Sequence, residues 1–233
     1  MALNDILFGL LAMAIGYLVG AFPSAYIITR LFSGKDIRTV GTGNTGVGNA
    51  GTRNVYVNVG KLPGIIVAIL DVGKGTGAIF FAQWVLNRPG LTSEQQHTAV
   101  LFLLGAGLAA VTGHIWPVYI KFRGGGGMAT SLGVLAVLMP RELVTGLSVA
   151  LVAIVITRNL VFSVNVGIAS MPAWAWYFFR PWWLAVYPFA ILAVMLVHFA
   201  PNILAEWKKA GSVEKLLAGL MHRQRPPPPR KRK

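Results

Sequence analysis

Two glycine-rich stretches hold the residue types best suited to chemistry. Residues 41–54 read GTGNTGVGNAGTRN and residues 112–130 read TGHIWPVYIKFRGGGGMAT. In the second, Gly124, Gly125, Gly126 and Gly127 follow Lys121 and Arg123 and lead into an apolar run. Glycine lets a backbone approach a ligand closely and reach positive φ. Successive N–H groups then line a concave anion nest, and a helix starting there adds the positive end of its dipole. Arg123 contributes a forked donor for phosphate. A plain bend between two helices is the competing reading of the same glycines. No Lys-Ser or Lys-Thr follows them, so this is not a Walker A loop.

Other polar residues stand alone or in pairs. Asp71 and Lys74, three apart, share a helix face and read as an intramembrane ion pair. Gly73, Gly75 and Gly77 beside them would admit a close neighbouring helix. His114, just before Pro117, reads as a structural capping residue. His198 and Asn202 lie four apart on one helix face. They either hold a phosphate and orient a hydroxyl, or cap a helix end. Ser163 and Asn165 open an apolar run as helix caps. No His/Asp/Glu spacing suggests a metal site, and no Gly-x-Ser-x-Gly elbow is present, so neither metal nor cofactor is expected.

The elements that position these groups are membrane helices. Of 233 residues, 55% are hydrophobic and only 12% charged, and mean hydropathy is +0.63. Soluble domains carry roughly 25% charged residues. Apolar runs at 6–29, 63–86, 98–119, 127–140, 143–157, 163–179 and 182–200 predict an all-α, polytopic helix bundle of about seven spans. The first reads as an anchor, since no small-residue cleavage site follows a short apolar core. The absence of cysteine excludes disulfides and Cys-ligated metals.

Charge placement sets the orientation. The net charge is +14, with many of the cations in the tail HRQRPPPPRKRK and beside span ends. Such a distribution fits anionic lipid as partner and not nucleic acid. With the N-terminus outside, Arg30, Lys35, Arg38, Arg53, Lys61, Lys121, Arg123, Arg158 and the C-terminal cations fall inside, against Arg88, Arg141 and Arg180 outside. Both glycine-rich stretches then face the cytoplasm. The cluster Trp174, Trp176, Tyr177, Phe178, Phe179, Trp182 and Trp183 becomes an outer interfacial belt. Residues 1–215 are expected to form the membrane domain and 216–233 a basic, proline-rich cytoplasmic tail.

In order and spacing, the segments GAFPSAYIITRLFSGKDIR, GTGN, LDVGKG and GHIWPVYIKFRGGGGMAT resemble the bacterial integral-membrane, acyl-phosphate-dependent glycerol-3-phosphate acyltransferases. The resemblance spans roughly residues 14–215, and its most specific part is the block beginning at Gly113. It implies transfer of an acyl chain from acyl phosphate to the 1-hydroxyl of glycerol 3-phosphate, giving lysophosphatidic acid and phosphate, with no metal. Both substrates carry phosphate, so two anion sites are implied, and an activated donor requires positioning and charge stabilisation more than a protein nucleophile.

The family's first loop, GSGNxGATNVxR, matches this chain twice, at Gly41–Asn44 and at Gly46–Asn49, as if one block were inserted. Only the first copy has a hydroxyl at the family's Ser position, Thr42. The resemblance thus places Thr42, Asn44, His198 and Asn202 in the catalytic set. It places Asn49, Arg53, Arg123, Gly124–Gly127 and Ser163 at the phosphates, with Asp71, Lys74 and His114 in support. Val57 stands at the family's Arg and Gly126 at the Lys of its GGKG loop, which leaves Arg53 and Arg123 to supply the charge. The two missing cations leave open a non-catalytic membrane relative that binds anionic lipid or a partner, and seven spans permit a small-anion transporter.

Overall fold

The computed structural model describes residues 3–41 and 49–212, and among these it contains no strand. In chain order the helices are α1 (Leu3–Gly20), α2 (Ser24–Ser33), α3 (Thr52–Asn58), α4 (Lys61–Leu86), α5 (Ser93–Ile115), α6 (Met128–Leu138), α7 (Pro140–Thr157), α8 (Leu160–Tyr177) and α9 (Trp182–Ala210). Five segments among the described residues are long and apolar enough to cross a membrane: Leu3–Ser33, Lys61–Leu86, Ser93–Ile120, Pro140–Thr157 and Trp182–Pro201. The other two predicted spans are α6, with 11 residues, and α8, with 18. At 1.5 Å per residue α6 reaches only about 16 Å, roughly half a hydrocarbon core.

Three expectations need correction. The first span is not one continuous helix. Pro23 lacks an N–H, and α1 ends at Gly20 before α2 begins at Ser24. The Phe22 carbonyl freed by this break accepts Lys74 Nζ at 3.1 Å. Re-satisfying such groups is what permits a broken helix at membrane depth. Second, Asn159, not Ser163 or Asn165, caps α8, accepting from the Phe162 N–H at 3.1 Å. Third, His198 and Asn202 do not cap a helix end, because α9 runs through Pro188 and Pro201 to Ala210.

Small residues bring the helices together. A Cβ on Gly16 or Gly20 of α1 would run into the carbonyls of Ala106 and Ala110 on α5. Gly75 of α4 is pressed against the Thr130 carbonyl and Gly133 of α6 against the Val72 carbonyl. Without water to drive association, such backbone-close packing is what holds membrane helices. Gly73 and Gly77 have open space beside them, so the predicted glycine contact narrows to Gly75. The main core gathers Ile79, Val111, Ile115, Val134, Leu135, Ile168, Met171 and Ile191 from α4, α5, α6, α8 and α9. At one end of the bundle lie the close of α1 and α5 and the starts of α4 and α6. At the other, Asp5 pairs with Arg88 at 2.6 Å and Glu142 with Arg180 at 2.7 Å.

Candidate active site

The α5–α6 connection is folded tightly onto the end of α5. Val118–Ile120 form a single 3-10 turn, and Lys121 and Phe122 both sit at φ 58. Such values are uncommon for non-glycine residues. They reverse the chain so that Gly124 N–H donates to the Ile115 carbonyl and Gly125 N–H to the His114 carbonyl, each at 3.1 Å. Gly124 and Gly125 are buried against α5: a Cβ on either would strike the His114 carbonyl or its imidazole. Gly127, at φ 84, is the N-cap of α6. The glycines are therefore required by space at 124 and 125 and by backbone conformation at 127. Gly126 is different, since only the Phe199 ring of α9 limits it.

The first glycine-rich stretch docks onto the second. Ala50 N–H donates to the Gly124 carbonyl at 2.9 Å. Asn54 holds this stretch from behind: its Nδ2 reaches the carbonyls of Val40 at 2.9 Å and Asn49 at 2.7 Å, on either side of residues 41–48. Thr42 and Asn44 fall outside the described residues, so which copy of the doubled motif lines the site stays an expectation. Asn49 is half-buried with an unpartnered Oδ1, and Arg53 occupies the first turn of α3, half-exposed. Arg123 is exposed at the lip of the glycine loop.

Beneath both loops lies a buried polar cluster. Asp71, fully buried, bonds Lys74 Nζ at 2.9 Å and accepts from the Ser24 hydroxyl through Oδ1, while Oδ2 accepts from Thr52 Oγ1 at 3.2 Å. His114 Nδ1 faces Oδ1 at 3.6 Å. The Asp71–Lys74 pair is present, as the spacing predicts. His114 does more than cap, because it joins that pair to the glycine loop. His114 Nδ1, Asn49 Oδ1 and Thr130 Oγ1 are buried without a hydrogen-bond partner.

His198 lies half-buried on α9 beside this end of α5. Its ring meets Trp116 edge-on at 5.9 Å and Phe199 at 4.9 Å between centroids. Asn202 is on the same helix, one turn on, and its side chain is outside those described. Ser163 is buried, its hydroxyl 3.1 Å from that of Thr157, which joins α7 to α8 and not to the glycine loops. Among the described residues no three His, Cys, Asp or Glu side chains gather as metal ligands. Sequence reasoning passes over Ser24, Thr52 and Asn54. Ser24 and Thr52 bond a residue 47 and 19 positions away respectively, and no local spacing signals that. Asn54 had a signal, an amide placed directly after the glycine block.

Comparisons with known proteins identify the family. The family model described as glycerol-3-phosphate acyltransferase matches residues 10–219. The chain is 32% identical over 210 residues to glycerol-3-phosphate acyltransferase 2 of Dehalococcoides mccartyi, covering 90% of this chain and 92% of that protein. It is 34% identical over 214 residues to glycerol-3-phosphate acyltransferase of Thermosynechococcus vestitus, covering 92% and 93%. Among solved structures, it superposes with a TM-score of 0.69 and 26% identity on PlsY (YgiH), an integral membrane glycerol 3-phosphate acyltransferase in its glycerol 3-phosphate form, over 91% of this chain and 93% of that one. The chain is thus a multi-pass membrane acyltransferase and belongs to the glycerol-3-phosphate acyltransferase family.

Proposed function

We propose that this protein transfers an acyl chain from acyl phosphate to the 1-hydroxyl of glycerol 3-phosphate, giving lysophosphatidic acid and inorganic phosphate. The reaction takes place at the cytoplasmic face of the cell membrane. The observation that carries the reading is the docking of one glycine-rich stretch on the other, through Ala50 N–H and the Gly124 carbonyl. Two phosphate-bearing substrates need two anion sites close enough for their reacting atoms to meet.

In the reaction the glycerol oxygen attacks the acyl carbonyl carbon. The new ester bond forms, the bond from that carbon to the phosphate oxygen breaks, and phosphate leaves with the electron pair. Main-chain N–H groups from Gly126 and Gly127 into the first turn of α6 hold the phosphate, those of Gly124 and Gly125 being given to the Ile115 and His114 carbonyls. Arg53 and Arg123 neutralise its charge, and Thr42 and Asn44 orient the acceptor. His198, on the wall of the site, takes the hydroxyl proton, and Asn202 orients the imidazole. The same N–H groups and nearby cations stabilise charge developing on the carbonyl oxygen without a protein nucleophile.

The test is phosphate release from palmitoyl phosphate by purified protein, with and without glycerol 3-phosphate. Release dependent on the acceptor and lost in His198→Ala is the expected result. Wild-type release no greater than that of the variant overturns the reading.

A further inference from the structure

We propose that Asp71 is a positioning residue that holds the two glycine-rich loops in one register, through Thr52 on one side and His114 on the other. The inference deepens the function proposed above and rests on its reading of the loops as phosphate sites.

An ionised carboxylate only accepts, and it has about four lone-pair positions to fill. Asp71 fills three of them, with Lys74 and Ser24 on Oδ1 and Thr52 on Oδ2, while His114 Nδ1 stands 3.6 Å from Oδ1 as a close polar contact and not a hydrogen bond. Lys74 belongs to its own helix, and Ser24 opens α2. Thr52 opens α3 immediately after Ala50 and Gly51, and His114 ends α5 against Gly125. Two of these arms close into a ring. From Asp71 Oδ2 the first passes through Thr52 to Ala50, whose N–H donates to the Gly124 carbonyl. From Oδ1 the second passes through His114, whose carbonyl takes the Gly125 N–H and whose Nε2 abuts Gly125. The arms thus meet again at Gly124–Gly125.

A charge pair serving only to satisfy two buried ions would need Asp71 and Lys74 alone. Here the carboxylate also touches the root of each loop. Loss of either arm frees one loop and, through the Ala50–Gly124 bond, shifts the other. Both phosphate sites should therefore respond to a change at one of them.

The experiment compares the full chain with Thr52→Val, His114→Gln, the double variant, and Asp71→Asn/Lys74→Met, which removes both buried charges so that no lone lysine remains. Hydrogen exchange is read first. Thr52→Val should speed amide exchange at residues 124–128 at least about threefold, and His114→Gln should do the same at 49–54. Steady-state kinetics is read second. Each single variant should raise KM for both substrates by about threefold to tenfold, the range of an ordinary net polar interaction. The double variant should show less than the product of the two effects. Thr52→Ser, which keeps the hydroxyl, should behave as wild type. The proposal is overturned if exchange changes only in the loop nearest each substitution. It is equally overturned if the KM effects fall on one substrate each and multiply, or if the variants lose folded yield at unchanged KM. An inactive wild type would sink the proposed function while leaving exchange to decide the coupling.

Discussion

A Cβ on Gly126 would lie 2.8 Å from Cζ of Phe199, so the α9 ring occupies the space that a side chain at this position requires. The family pattern places a lysine here. Gly126→Lys should force the ring from its rotamer at a cost of about 1–3 kcal/mol, lowering Tm in detergent by several degrees. Gly126→Lys combined with Phe199→Ala should recover most of that loss. It should also lower KM for a phosphate-bearing substrate relative to Phe199→Ala alone, since the new ammonium then has room to reach an anion. An unchanged Tm for the single variant would show that the ring does not restrict the position.

The glycines of α4 should separate sharply under substitution. Gly75→Ala pushes a methyl group into the Thr130 carbonyl of α6. Backbone cannot turn aside as a side chain can, so the α4–α6 crossing must open, and folded yield and Tm should both fall. Gly73→Ala and Gly77→Ala meet nothing within 4 Å. They should be neutral or stabilise by up to about 1 kcal/mol through helix propensity. Fluorescence-detected size exclusion with a thermal ramp would rank all three variants.

These glycines also show where the sequence stops being informative. Hydropathy locates the five segments long and apolar enough to cross a membrane to within about five residues, because membrane burial imposes long apolar runs. The three glycines, by contrast, are indistinguishable in sequence, since their difference lies in where α6 crosses. The break at Phe22–Pro23 is visible as a proline, yet the arrival of Lys74 at the Phe22 carbonyl, beside the Ser24 N–H, depends on folding α4 against α1. The glycine loop announced itself by composition. Ser24 and Thr52 did not, because their partner is chosen by tertiary contact. α9 outran its apolar stretch because a helix can leave the membrane and continue, and hydropathy ends at the interface.

Asp36 and Arg38, beyond the end of α2, should impose a weak acid sensitivity. Arg38 donates to both carboxylate oxygens, reaches the Ile120 carbonyl at 3.2 Å, and lies over the Tyr26 ring at 5.0 Å. The side-chain bond from Arg38 holds the Asp36 carboxyl below its ordinary value of 3.8. A depressed folded-state pKa stabilises above the unfolded value and is lost as pH falls through the folded one. Asp36→Asn should therefore lower Tm at neutral pH, and the gap from wild type should begin to close below about pH 4. A gap that stays constant down to pH 3 would mean the charge contributes nothing.

The ion pair at the opposite end of the bundle should be costly to halve and cheap to remove. Glu142 is 0% exposed and starts α7, whereas the Arg180 side chain, in the α8–α9 turn, is 34% exposed. Arg180 Nε bonds Oε1 at 2.7 Å, and Oε2 has no partner. Arg180→Ala would leave a buried carboxylate uncompensated, which costs about 3–5 kcal/mol in fully buried pairs. Water reaching the arginine side should reduce this to about half. Glu142→Gln keeps the shape and an acceptor for Arg180, so it should cost less. Glu142→Met with Arg180→Met should fall closest to wild type, since neither charge is then stranded. Thermal unfolding of the three variants in one detergent would give this order. A double variant less stable than Arg180→Ala would show that the pair is held by more than mutual compensation.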